Sequence, residues 1–65
     1  MRVRYFEDTD TLYIELRDAT VAETRDVDEN TLIDVDEQGR MVAITIEHAQ
    51  QRAELSNFAF ERIAA

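Results

Sequence analysis

The sequence predicts an α+β domain, an antiparallel β-meander of four to six strands with one short C-terminal helix packed on the sheet. Three observations carry this. Apolar and polar residues alternate in short runs, the period of a half-buried strand. The runs are separated by Asp-, Glu-, Asn- and Gly-containing breaks, the chemistry of tight turns. No segment between them is long enough for the crossover helix that a parallel sheet requires. All 65 residues fit one domain, 1–65.

Arg2–Phe6 opens the sheet, with Val3 and Tyr5 on one side and Arg2 and Arg4 on the other. Glu7–Asp10 supplies a polar turn. Thr11–Leu16 follows, with Leu12, Ile14 and Leu16 opposite Thr11, Tyr13 and Glu15, so the two runs form a hairpin. Val21–Val27 alternates weakly and carries the charges of an edge strand. Thr31–Val35 is rich in β-branched residues, which favour strands. Asp36–Gly39 contains the chain's one glycine, placed for a positive φ in a hairpin loop. Met41–Ile46 is the most apolar strand. From His48 to Leu55 Ala, Gln, Arg and Glu prevail, residues that favour a helix. Phe58–Ile63 reads as a sixth strand or as a helical tail, with the strand preferred because two aromatics fall at period two. The expected core is Val3, Tyr5, Leu12, Ile14, Leu16, Ile33, Val35, Val42, Ile44, Ile46 and Leu55. Leu32 is an alternative to Ile33, and Met41 an addition, because the parity of the fourth and fifth strands is open. The conflict dissolves if a second copy covers one sheet face.

Composition narrows the function. The chain has 15 acids, seven arginines and no lysine, for a net charge of -8. That charge repels nucleic acid, whose phosphates require positive neutralisation, and favours a basic protein partner. Adaptation to a salty cell interior explains it equally well, since salt screens self-repulsion. Without cysteine, disulfides, thiolate metal sites and thiol catalysis are excluded. No run has the length of a membrane span and no signal segment opens the chain, so a cytoplasmic protein without membrane contact is expected. A chain of this size buries only about 60% of its unfolded surface. Lacking disulfides, it has self-association as its remaining means of support, and a homodimer is expected.

Few residues suggest chemistry. Asp34-Val35-Asp36-Glu37-Gln38-Gly39 superficially resembles the start of a calcium loop, but Thr45 stands where the bidentate glutamate belongs. An acidic hairpin turn is the better reading. His48, the one histidine, has no second histidine or cysteine to complete a zinc site, and reads as a polar residue at a helix start. Glu7, Asp8 and Asp10 form an acidic turn in which Asp10 is placed to bind turn amides. Tyr13, opposite Leu12 and Ile14, suits packing beneath the helix or a dimer contact. Ser56 lacks a nucleophile elbow, and one glycine cannot build a phosphate loop. No cofactor is expected.

Tyr5, then Asp10-x-Leu12-Tyr13-Ile14-x-Leu16, Asp34-x-Asp36-x-x-Gly39 and Ile44-x-Ile46-x-x-Ala49 together resemble a small prokaryotic family, domain of unknown function 2283. The resemblance runs from about Arg2 to about Ala53. The chain departs from the family pattern at Phe6, at Ala43-Ile44-Thr45 and at Glu47-His48. The resemblance implies short stand-alone chains without established activity or catalytic residues. Some are encoded beside small toxin-like proteins, which implies an antitoxin or partner-binding role. The expectation is therefore a non-catalytic homodimeric interaction module, with Tyr5, Asp10, Tyr13, Asp34, Asp36 and Gly39 as its candidate motif residues. The alternatives are a metal-dependent or hydrolytic enzyme using Asp8, Asp10, Asp34, Asp36 or His48, and a dimeric scaffold without a ligand.

Overall fold

A computed structural model describes residues 1–64. It contains five strands, β1 (Arg2–Phe6), β2 (Thr11–Glu15), β3 (Glu23–Asp28), β4 (Thr31–Val35) and β5 (Met41–Glu47), followed by one helix, α1 (Ala49–Arg52). All pairings are antiparallel, and the strand order is β1-β2-β5-β4-β3. The molecule is thus a hairpin, β1–β2, joined to a three-stranded meander, β3–β4–β5, through the pairing of β2 with β5. The most apolar strand takes the centre, where both of its edges are paired. The charged strand β3 takes an edge and is exposed along its whole length, as edge protection requires.

Register decides which side chains share a face. One cross-strand row is Val3, Ile14, Ile44, Ile33 and Arg25, and the next is Tyr5, Leu12, Ile46, Thr31 and Asp28, so this face is apolar as far as β4 and charged at the β3 edge. Ile33, rather than Leu32, therefore lies with Ile44, which settles the parity of β4. The opposite face carries the rows Arg4, Tyr13, Thr45, Leu32, Asp26 and Arg2, Glu15, Ala43, Asp34, Thr24. One face is apolar and the other mixed and charged.

Two irregularities adjust the ladder. The register shifts between Asp26 and Asp28 on β3, leaving Val27 as the extra residue and 58% exposed. On β5, Asp34 faces Ala43 while Val35 faces Met41. Val42 is the extra residue there, and it is buried. A bulge of this type bends and twists the strand.

Several boundaries differ from the sequence expectation. The third strand begins at Glu23, not Val21, because residues 16–22 are needed to carry the chain from β2 across to β3. The helix has four residues rather than the expected His48–Leu55, since Ala53 is already extended at φ -145°. A helix this short cannot stand without tertiary support. Phe58–Ile63 takes neither the preferred strand nor a helix. Its aromatics lie against Met1 and Val3, lining an open apolar cleft of about 360 Å³, and find no ladder to join.

The expected core includes Val35 and Val42 but not Ala43 or Ala49, and most of its other members are less deeply buried than expected. The buried residues are Val35, Val42, Ala43 and Ala49. Leu12, Ile14, Leu16, Ile33, Ile44, Ile46 and Leu55 are only half-buried, and Val3 is 39% exposed. One sheet with a single helical turn at its end supplies no second layer to cover them.

Candidate functional site

The candidate residues fall into three places. The first is the end of the sheet where the β1–β2 and β3–β4 turns meet the start of α1. Asp10 sits there in the left-handed region, at φ 52°. Its carboxylate accepts hydrogen bonds from the Tyr5 hydroxyl at 2.7 Å and the Gln50 amide at 3.1 Å, and its carbonyl accepts from the Ala49 amide at 3.0 Å. The Gln50 side-chain amide donates to the Tyr5 oxygen at 3.1 Å. Asp10 thus binds helix amides rather than amides of its own turn: it satisfies from another hairpin the orphan N–H groups that every helix start presents. The residue at the cap position itself, His48, makes no side-chain capping bond. Its Nδ1 instead lies 2.8 Å from Asn30 Oδ1. Donation to the Asp10 carboxylate, reinforced by partial desolvation, pushes the Tyr5 phenol above its ordinary value.

Asn30 ties the same end from the other side. Its carbonyl accepts from the Glu47 amide at 2.8 Å and from Arg52 Nη1 at 2.9 Å. Arg52 Nη1 also donates to Thr31 Oγ1, and Nη2 approaches Asp28 at 3.5 Å. The Asn30 amide donates to the Asp28 carboxylate, the leading cause of its lowered pKa. One helical turn is therefore strapped between two turns.

The second place is the opposite end. The Asp36 carboxylate, on a side chain only 12% exposed, accepts from Arg17 Nη2 at 2.6 Å, from the Gln38 and Arg40 amides at 2.9 Å each, and from Arg40 Nε at 3.3 Å. Foremost the Arg17 guanidinium, then the turn amides, hold Asp36 well below the usual carboxylate range. Gly39, at φ 81°, closes the loop and donates its amide to the Asp36 carbonyl. The expected acidic hairpin turn is what the segment forms. Asp34 lies on the mixed face and accepts from Thr24 Oγ1 at 2.7 Å. Tyr13 is half-buried on that face, in line with Arg4 and Thr45, and not beneath α1.

Candidate acids are therefore divided, not gathered. Asp8, Asp10 and His48 belong to one end of the sheet, and Asp34 and Asp36 to the other. Among the described residues no group of three or more His, Asp or Glu side chains is placed to hold a metal. Asp10 and Asp36, the best-positioned carboxylates, are occupied in fastening turns.

The third place is the apolar face itself. Its central residues, Leu12, Ile14, Ile33, Ile44 and Ile46, are half-buried, and α1 meets this face at one end, where Gln50 and Arg52 bond Tyr5 and Thr31. At the β1 edge the surface continues through Val3 and Met1 to Phe58 and Phe60, which are 70% and 69% exposed. Sequence reading missed the partners Arg17, Asn30, Gln50 and Arg52. Each acts across a long sequence separation, and no local pattern marks it. The two buried alanines escaped for a similar reason, since small size signals close approach only once the neighbours are known.

A thin antiparallel sheet with one short C-terminal helix, fastened at both ends by carboxylate-centred clusters, defines a small α+β domain. Residues 2–50 match the family described as Protein of unknown function (DUF2283), and the chain belongs to that family. The match ends at Gln50, so it takes in Tyr5, Asp10 and the helix start they secure. No curated protein and no solved structure matches the chain. Among the described residues no helix is long and apolar enough to cross a membrane.

Proposed function

We propose that this protein is a non-catalytic interaction module that works as a homodimer and engages a basic protein partner through its acidic outer surface, in the manner of an antitoxin masking a cationic toxin. The observation that carries the reading is the division of labour on the sheet. Asp10 and Asp36, which suggested chemistry, secure turns, while the face of Leu12, Ile14, Ile33, Ile44 and Ile46 is apolar and only half-buried. The remaining acids, among them Glu7, Asp8, Glu23, Asp26, Glu29 and Glu37, are exposed and spread over the turns and the β3 edge. Such a charge distribution speeds encounter with a cationic partner and repels acidic ones.

The enzyme alternative needs its carboxylates to converge, and their separation to opposite ends of the sheet argues against it. Affinity capture of the tagged chain from its own cells, at their own salt, tests the reading. The expected result is a stoichiometric basic protein that is lost when Glu23, Asp26 and Glu29 are changed to Gln, Asn and Gln. Retention of that protein by the neutralised variant, or recovery of nothing but the chain itself, would overturn it.

A further inference from the structure

We infer that the apolar sheet face is covered by the same face of a second copy, giving a two-layered sandwich, and that the segment carrying Phe58 and Phe60 forms part of the contact. This inference deepens the homodimer element of the function proposed above and rests on that reading. Area is the first argument. The chain exposes 5291 Å², whereas a compact monomer of 7.6 kDa exposes about 4,300 Å². The excess, on the order of 1,000 Å² per chain and shared between the sheet face and the exposed C-terminal segment, covers the roughly 800 Å² that each partner buries in a stable protein–protein interface. The molecule measures only 18 Å through its thinnest direction, and two sheets stack at about 10 Å, so a second copy adds the missing layer over the part of the face that α1 leaves open.

Charge is the second argument. The cross-strand rows of the apolar face are free of acids from Val3 to Ile33 and from Tyr5 to Thr31, and end at the β3 rim in Arg25 and Asp28. Two chains of net charge -8 therefore meet without opposing carboxylates, and their acids remain at the rim and on the outer faces. Continuity is the third. Phe58 and Phe60 line an open cleft with Met1 and Val3 at the β1 edge, where both rings stay mostly exposed. Exposed aromatics that border an apolar face are the residues enriched in the cores of contacts.

Sedimentation equilibrium of the intact chain from 1 µM to 1 mM, with isotope-filtered NMR on a mixture of labelled and unlabelled chains, tests the inference. The expected species has twice the chain mass, with contacts between copies at the methyls of Ile14, Ile33 and Ile44. The double variant Phe58→Ser, Phe60→Ser keeps the fold, because both rings are exposed, and weakens association at least tenfold. A folded monomer at 1 mM would overturn the inference. So would a dimer whose contacts fall on the Tyr13 and Thr45 face, or one joined edge to edge through β1 and β3. Unchanged association of the double variant would overturn the role of the C-terminal segment. These failures are separable from failure of the partner reading: a folded monomer that still captures a basic protein sinks the sandwich and the homodimer but leaves the partner reading standing.

Discussion

Single side chains in this molecule mostly hold turns. Gly39 is the clearest conformational case. Its φ of 81° lies in the left-handed region, and nothing lies within 4 Å of where a Cβ would stand. Gly39→Ala therefore meets backbone strain alone and should cost about 1 kcal/mol, with Gly39→Asn costing less, as urea titration would show. Asp36 ties stability to pH. Its carboxyl pKa lies below the ordinary value of 3.8, so the folded state binds its proton less readily than the unfolded chain. Its contribution is complete above that ordinary value and is lost as pH falls from there toward the lower folded value. Thermal melts of Asp36→Asn against the parent should show a less stable variant at pH 7. The difference should shrink steadily below about pH 4. A gap that stays undiminished between pH 4 and pH 2 would show that the side chain acts by shape alone.

At the level of elements, α1 is the dependent part. Four residues cannot offset the cost of helix nucleation, so the turn exists because Asp10 and Arg52 hold it from two hairpins. Asp10→Ala should leave all five strands in place while amide exchange at Gln50 and Ala53 accelerates more than tenfold. Loss of protection throughout β5 as well would mean that the helix start and the central strand open together. The elements also show what was legible in the sequence. Strand positions were readable because period-two alternation is local, and turn positions because Asp, Asn and Gly mark them locally. The place of β5 between β2 and β4 was not readable, because the pairing of residues 11–15 with 43–47 leaves no local trace. The Phe58–Ile63 segment misled for a related reason: period two describes a strand only where an edge is free to receive it. Asp10 was singled out correctly as an amide-binding residue, but the amides belong to a helix far along the chain. The motif residues Tyr5, Asp10, Asp36 and Gly39 are accounted for by this fastening.

For the whole molecule, the balance between a thin sheet and a large charge governs stability. With four buried residues, two of them alanine, a lone chain has little core to offset its ordering entropy. Melting of the parent chain should then depend on concentration, as expected when association and folding are linked. A melting temperature constant from 5 µM to 500 µM would count against that linkage. Raising salt from low to molar levels should also raise the melting temperature, because the Debye length shrinks to about 3 Å and the repulsion among the acids is screened. A flat or falling trend would show that the charge is already neutralised by pairing.

The central place of β5 has a temporal consequence. The last strand made is the one that both halves of the sheet require. During synthesis the β1–β2 hairpin has nothing to dock against until residues 41–47 arrive, and loop closure over that span precedes any reward from non-local pairing. Folding should therefore begin in the β3–β4–β5 meander, with the first hairpin joining late. Substitutions in β4 would slow folding, whereas substitutions in β1 would chiefly speed unfolding. A stop-codon series through residues 41–47 would place the onset of protease resistance in the nascent chain at the completion of this one strand.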